Sequence, residues 1–211
     1  MTRRICIFGA SGATGQALSQ QAVERGFDVV AFVRSEPAQL LSLQGIAVMK
    51  GSLTNPSDVE RAITGCEAVI CAFGPRPGSS DAFCAEATRN IVTAMKARDV
   101  QRLVCITGAM IGAYPHLSWF MRSMKSTYQK KQPDMAIDRI EQERLVETSG
   151  LAWTLVKPPR LSDGEARRQY RSGENLKVGA MSSINRLDLS RFILDQLDAK
   201  EYVGKRVVVQ Y

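Results

Sequence analysis

The stretch Ile5-Cys6-Ile7-Phe8-Gly9-Ala10-Ser11-Gly12-Ala13-Thr14-Gly15 decides the fold. An apolar run of strand length passes directly into a turn with glycine at 9, 12 and 15. The turn opens onto a helix-like segment, residues 14–25, that Gly26 ends. Strand, glycine turn and helix in this order form the setting in which such a triplet binds a dinucleotide. Gly9 permits the tight turn, Gly12 lets the backbone approach a pyrophosphate, and Gly15 lets the helix pack closely on the strand. With Ser11, Ala13 and Thr14 they make a cradle whose free N–H groups and positive helix end face the phosphates. A plain strand-to-helix turn needs one glycine, not three.

Outward from this point, apolar runs of strand length alternate with amphipathic segments of helix length, the signature of parallel βαβ units. Strands are expected at residues 5–8, 29–33, 46–49, 68–73, 103–107, 153–156 and 206–210, the last closing the sheet. Helices are expected at 14–25, 37–43, 56–63, 82–97, 135–148 and 187–197. Asn55 and Pro56 supply an N-cap and a first-turn proline, and Gly150 closes the helix at 135–148. From Gly108 to about residue 135 the pattern is irregular, aromatic and methionine-rich, which suits a substrate region. The expectation is a single α/β domain over residues 1–211, a doubly wound Rossmann fold with a mostly parallel central sheet. Its ligands would lie beyond the carboxyl ends of the strands.

Nineteen residues after Gly15, where an acidic side chain commonly meets the ribose hydroxyls of NAD, this chain has Arg34 followed by Ser35. A carboxylate there would repel a 2′-phosphate, whereas a guanidinium offers it planar, charged donors, so NADP(H) is expected over NAD(H).

Composition narrows the function classes. The 211 residues are 45% hydrophobic and 23% charged, as in an ordinary globular protein. A formal charge of +7 is spread along the chain, with a modest concentration at Arg122, Lys125, Lys130 and Lys131 and no aromatic interleaving, so no nucleic-acid partner is expected. Met1-Thr2-Arg3-Arg4 runs straight into the first strand and no apolar stretch is long enough to span a bilayer, so a cytoplasmic protein without a membrane partner is expected. Five cysteines without metal-ligand spacing read as free thiols, and with one histidine they give no metal site. Nothing demands a dimer; a monomer or weak homodimer is expected.

Together with Val33-Arg34, Gly51-Ser52-Leu53, Arg89–Lys96, Thr107-Gly108-Ala109, Ser149-Gly150-Leu151 and Lys157-Pro158-Pro159, the glycine turn resembles an atypical short-chain dehydrogenase/reductase. The pattern is similar to the NAD(P)H-binding group of NmrA-like proteins and the biliverdin reductase B/flavin reductase type, over nearly the whole chain. The resemblance implies that Gly51, Ser52 and Leu53 flank the adenine. It implies that Ala72, Phe73 and Gly74, with Arg76 just beyond, pass under the cofactor, and that Thr107 and Gly108 lie near the nicotinamide. Pro158, Pro159 and Arg160 would line the far side of that ring. The chain departs from the superfamily in lacking a Tyr-x-x-x-Lys pair: Tyr128 is followed by Lys131 and Gln132 at the third and fourth positions. It departs from the flavin/biliverdin type at Gly108 and Arg160, where that type has serine and histidine.

Hydride transfer is chiefly the cofactor's chemistry, so the protein need only place an acceptor and exclude water. Met110, Tyr114, Trp119, Phe120, Met121 and Met124 are the candidate wall for a planar acceptor, and they also fit a plain core. Thr107 and Tyr114 are the candidate proton donors; His116, between Pro115 and Leu117, reads as a surface residue. Lys157 and Arg160 are candidates for an anionic group of the substrate or cofactor, and Lys157 equally suits a solvated strand end. The leading expectation is an NADPH-dependent oxidoreductase acting on a small conjugated or aromatic acceptor such as a flavin or quinone. A non-catalytic NADP(H) sensor, and an isomerase or dehydratase of the same fold, stand beside it.

Overall fold

The computed structural model describes residues 2–35, 44–75 and 82–211. The chain runs β1 (Arg4–Phe8), α1 (Ala13–Glu24), β2 (Asp28–Val33), β3 (Ile46–Lys50), α2 (Pro56–Ile63), β4 (Ala68–Cys71), α3 (Cys84–Ala97) and β5 (Arg102–Ile106). It continues through α4 (Trp119–Lys131), α5 (Pro133–Glu147), β6 (Ala152–Val156), β7 (Arg160–Ser162), β8 (Arg171–Gly173), β9 (Ser183–Asn185), α6 (Arg186–Asp195) and β10 (Lys205–Gln210). Eight strands form one sheet in the order β3-β2-β1-β4-β5-β6-β10-β8, parallel except where β8 pairs with β10, and β7 pairs with β9 apart from it. This is the doubly wound Rossmann arrangement expected from the alternation of runs. The switch in strand order falls between β1 and β4, where the glycine turn lies.

Alternation along each strand builds two apolar layers. Ile5 and Ile7 pack with Leu18 and Ala22 of α1 and with Leu189, Phe192 and Ile193 of α6. Cys6 and Phe8 face the opposite side, with Val59 and Ile63 of α2 and Ile91 and Met95 of α3. All five cysteines are buried and free. Asn55 caps α2, its side chain accepting the Ser57 N–H at 3.0 Å, and Pro56 follows in the first turn.

Two expectations need correction, and three short strands went unread. Residues 119–131, read as irregular, form α4: Ser118 caps it, accepting the Met121 N–H, and Pro133 begins the next helix. Only Met121 of α4 is buried, so no apolar period marks it. Strand β10 does not close the sheet, because the short β8 pairs antiparallel along it through Val208–Gly173 and Gln210–Arg171. Strands β7, β8 and β9, of three residues each, are too short to show an alternating pattern. The expected helix at 37–43 lies outside the described residues.

Candidate functional site

A cleft of about 370 Å³ opens at the carboxyl ends of β1, β2 and β4. Gly9 (φ +84°) makes its floor, and a methyl group there would stand 2.7 Å from the Phe73 backbone nitrogen. A methyl at Gly15 would collide with the Gly9 carbonyl oxygen, so the close packing of α1 on β1 requires glycine. Helix α1 starts at Gly12 without a side-chain cap or an acidic residue in its first turn. Its first amides, those of Ala13, Thr14 and Gly15, are therefore left for a ligand.

Ser11, Arg34, Ser35, Leu53, Ala72, Phe73 and Gly74 line the same cleft, joined by Phe32 and Phe83; none of these lining residues is acidic. Gly51 and Ser52 support the cleft from behind. A methyl on Gly51 would press to 2.8 Å on the Phe32 ring, and the Ser52 N–H binds the Asp58 carboxylate at 3.0 Å. That bond, helped by Arg61, holds the Asp58 carboxyl below its ordinary value. Asn90 of α3 ties down the Leu53 carbonyl at 3.0 Å. Arg76 lies outside the described residues. The cradle fits a dinucleotide: backbone donors at a helix start, a cation at the end of β2, and apolar surface for a base.

A second cavity, of about 460 Å³, lies beyond β5 and β6. Thr107, Gly108, Met110, Phe120, Met121, Met124, Pro158, Pro159 and Arg160 all line it, together with Ile111 and Leu161. Two expected residues do not. Tyr114 is buried with its hydroxyl donating to the Leu176 carbonyl at 2.6 Å, and burial pushes the phenol up to about 12. Trp119 points outward at 76% exposure. Both belong to a stretch whose helix went unread, so their facing could not be assigned. His116 bonds Asn175 at 3.1 Å at the surface.

The register of β5 and β6 pairs Ile106 with Val156, whose side chains enter the α1/α6 layer. One step further, Thr107 and Lys157 therefore turn to the opposite side, towards α5. Lys157, expected at an anionic group of the ligands or in solvent, is fully buried instead. Its ammonium forms an ion pair with Glu143 of α5 and donates to the Ile111 carbonyl at 2.7 Å. Burial pulls Lys157 down to about 8, opposed by Glu143, while Arg206 and Lys125 add to the fall. The Thr107 hydroxyl donates to the same Glu143 oxygen, Oε1, at 2.7 Å. Glu143 Oε2 is buried without a hydrogen-bond partner among the described residues, under Gly112 (φ +57°).

Arg139, one turn earlier on α5, donates to the Thr107 carbonyl at 3.0 Å and reaches the Phe73 carbonyl at 3.5 Å, so one guanidinium joins the floors of both cavities. Asp138 accepts the N–H groups of Cys84 and Ala85 at 2.9 and 2.8 Å and caps α3, whose own N-cap position, Phe83, offers no side-chain acceptor. Three successive carbonyls of the loop after β5 each meet a cation: Ile111 meets Lys157, Gly112 meets Lys125, and Ala113 meets Arg206. Sequence reasoning missed Asp138, Arg139 and Glu143. The available signal was polar residues where the inward face of the helix calls for apolar ones.

The cap that Asp138 lends to α3 and the buried pair belong to a chain with clear relatives. YwnB of Bacillus subtilis is 27% identical over 219 residues, covering 98% of this chain and 97% of that protein. The 2-alkyl-3-oxoalkanoate reductase of Stenotrophomonas maltophilia is 35% identical over 106 residues, 48% of this chain and 32% of that one. A wide-type short-chain dehydrogenase/reductase from Veillonella parvula, crystallised with NADP, matches with a TM-score of 0.81 at 17% identity over 100% of this chain and 95% of that one. The family described as NAD(P)H-binding matches residues 9–200. With its glycine cradle, doubly wound sheet and a match of that extent, the chain belongs to the NAD(P)H-binding family.

Proposed function

We propose that the protein is an NADPH-dependent oxidoreductase that reduces a small conjugated or aromatic acceptor. The observation that carries this reading is the pairing of the cleft with the apolar cavity at Thr107: Arg139 bonds the backbone at the inner edge of both. The bound cofactor would supply the hydride. The chain's part is to bind, orient and keep water out. Amides at the start of α1 take the pyrophosphate, and Arg34 with Ser35 takes a 2′-phosphate. Met110, Phe120 and Met124 shape themselves to a flat ring, and Pro158 and Pro159 stiffen the opposite wall. The reductase name of the Stenotrophomonas relative and the NADP bound to the Veillonella protein support the reading.

The test is NADPH oxidation measured across quinones, flavins and small planar ketones, with Gly12→Asp as the control that places a negative charge against the pyrophosphate. Turnover that Gly12→Asp abolishes supports the proposal. Tight NADPH binding with no turnover across the whole panel refutes it in favour of a sensor.

A further inference from the structure

We infer that Thr107, Glu143 and Lys157 form a proton line that opens into the acceptor cavity, with Lys157 as its reservoir. This rests on the oxidoreductase reading and names the class of acceptor: a carbonyl whose reduced form is a hydroxyl held against Thr107.

The direction of each hydrogen bond carries the inference. Lys157 and Thr107 both donate to Glu143 Oε1. An ionised carboxylate only accepts, so the single hydroxyl proton of Thr107 is committed to Glu143. Thr107, which lines the cavity, therefore offers a ligand its lone pairs. The ligand that complements it is an alcohol O–H, the product of carbonyl reduction. In the reducing direction the carbonyl carbon gains the hydride supplied by the cofactor, and the C=O π bond breaks to leave an alkoxide. The Thr107 O–H rotates from Glu143 to the alkoxide and gives it the proton, which leaves the Thr107 oxygen facing Glu143 Oε1 without one. Thr107 is reprotonated by way of Glu143 Oε1 with a proton from the Lys157 ammonium, which becomes an amine; once the product leaves, water in the cavity reloads it through Thr107 and Glu143. In the oxidising direction the same line runs backwards and ends on the Lys157 amine.

The reservoir is built for this exchange. Lys157 carries no exposed surface, and among the described residues its ammonium donates only to Glu143 and to the Ile111 carbonyl. The groups bearing on the pair come from every element around it: Thr107 after β5, Lys125 from α4, Arg139 and Glu147 from α5, and Arg206 from β10, itself paired with Glu147. Burial loosens the Lys157 proton, Glu143 holds it, and Arg206 and Lys125 loosen it further, so it comes to about 8. Reduction, which needs the ammonium, falls as pH rises through that value. Alcohol oxidation, which needs the amine, rises through it.

The experiment has two readouts. In the cofactor-free protein labelled with ¹³C at lysine Cε, the Lys157 resonance, assigned by its loss in Lys157→Met, is titrated. It should titrate near 8, lower in Glu143→Gln, where the anion is removed, and higher in Thr107→Val, where Glu143 loses a donor and grips Lys157 harder. With NADPH and isatin, a flat ketone, kcat should fall above the same pH. Thr107→Val should lower kcat by about 100-fold or more with KM for NADPH unchanged, and Thr107→Ser should restore most of it.

A Lys157 midpoint above 10, or one that Thr107→Val leaves in place, overturns the proton line whatever the activity. So does isatin reduction by Thr107→Val at the wild-type rate and pH profile, which leaves the oxidoreductase reading standing. No isatin turnover by the wild type removes the carbonyl class, and with it the proposed acceptor, while other acceptors still test the broader reading.

Discussion

Replacing Arg34 isolates the contribution of one guanidinium to cofactor choice. Arg34 is exposed at the end of β2, within the lining of the cleft, and among the described residues no acidic lining residue competes for it. A hydrogen bond to a charged group contributes about 1.5–3 kcal/mol. Solvent around an exposed side chain favours the lower end, about 1.5 kcal/mol, or roughly tenfold in affinity. Arg34→Gln should therefore weaken NADPH about tenfold and leave NADH within about twofold. Arg34→Glu adds like-charge repulsion of about 1 kcal/mol, a further fivefold or so. Calorimetric titration of both dinucleotides at low and high salt measures this, and the NADPH loss should shrink at high salt as screening shortens the reach of the charge. Equal weakening of NADPH and NADH, or a wild-type protein that binds NADH as tightly as NADPH, refutes the assignment.

Gly15→Ala drives a methyl group into the Gly9 carbonyl oxygen. Overpacking of this kind costs about 1–3 kcal/mol, so Tm measured calorimetrically should fall by roughly 2–12 °C, with NADPH affinity falling too. Asp138→Ala removes the acceptor for the first amides of α3 and should lower the urea midpoint by an amount equal to about 1 kcal/mol, with the slope of the transition unchanged. Gly112→Ala strains a residue at φ +57° and collides with Glu143, and should cost about 1–3 kcal/mol in denaturant unfolding. If the proton line is correct, it should also lower kcat for isatin more than it weakens NADPH.

The glycine cleft was legible because its information is local. Strand, turn and helix lie within residues 5–25, and the Gly15 requirement is met inside that span, while Gly9 answers also to the Phe73 backbone across the switch point. Arg34 could be placed at the cleft for the same reason, at a fixed distance along one βαβ unit. Thr107, Glu143 and Lys157 come from three elements and meet only through strand register and the packing of α5, so no spacing along the chain joins them. Lys157 was misplaced because lysine at a strand end is usually solvated, and here its partner was invisible. Helix α5 was expected but the role of its polar inward face was not, and the sparsely buried α4 went unread because it departs from the apolar rhythm by which helices are recognised.

The three cations on the loop at Ile111, Gly112 and Ala113 grip main-chain oxygens, not side chains. Its shape is thus written in residues far from it, at positions 125, 157 and 206. Side chains at 111 and 113 take no part in the grip, so substitutions there should leave the path of the loop fixed, provided the three distant cations and the glycine between them persist.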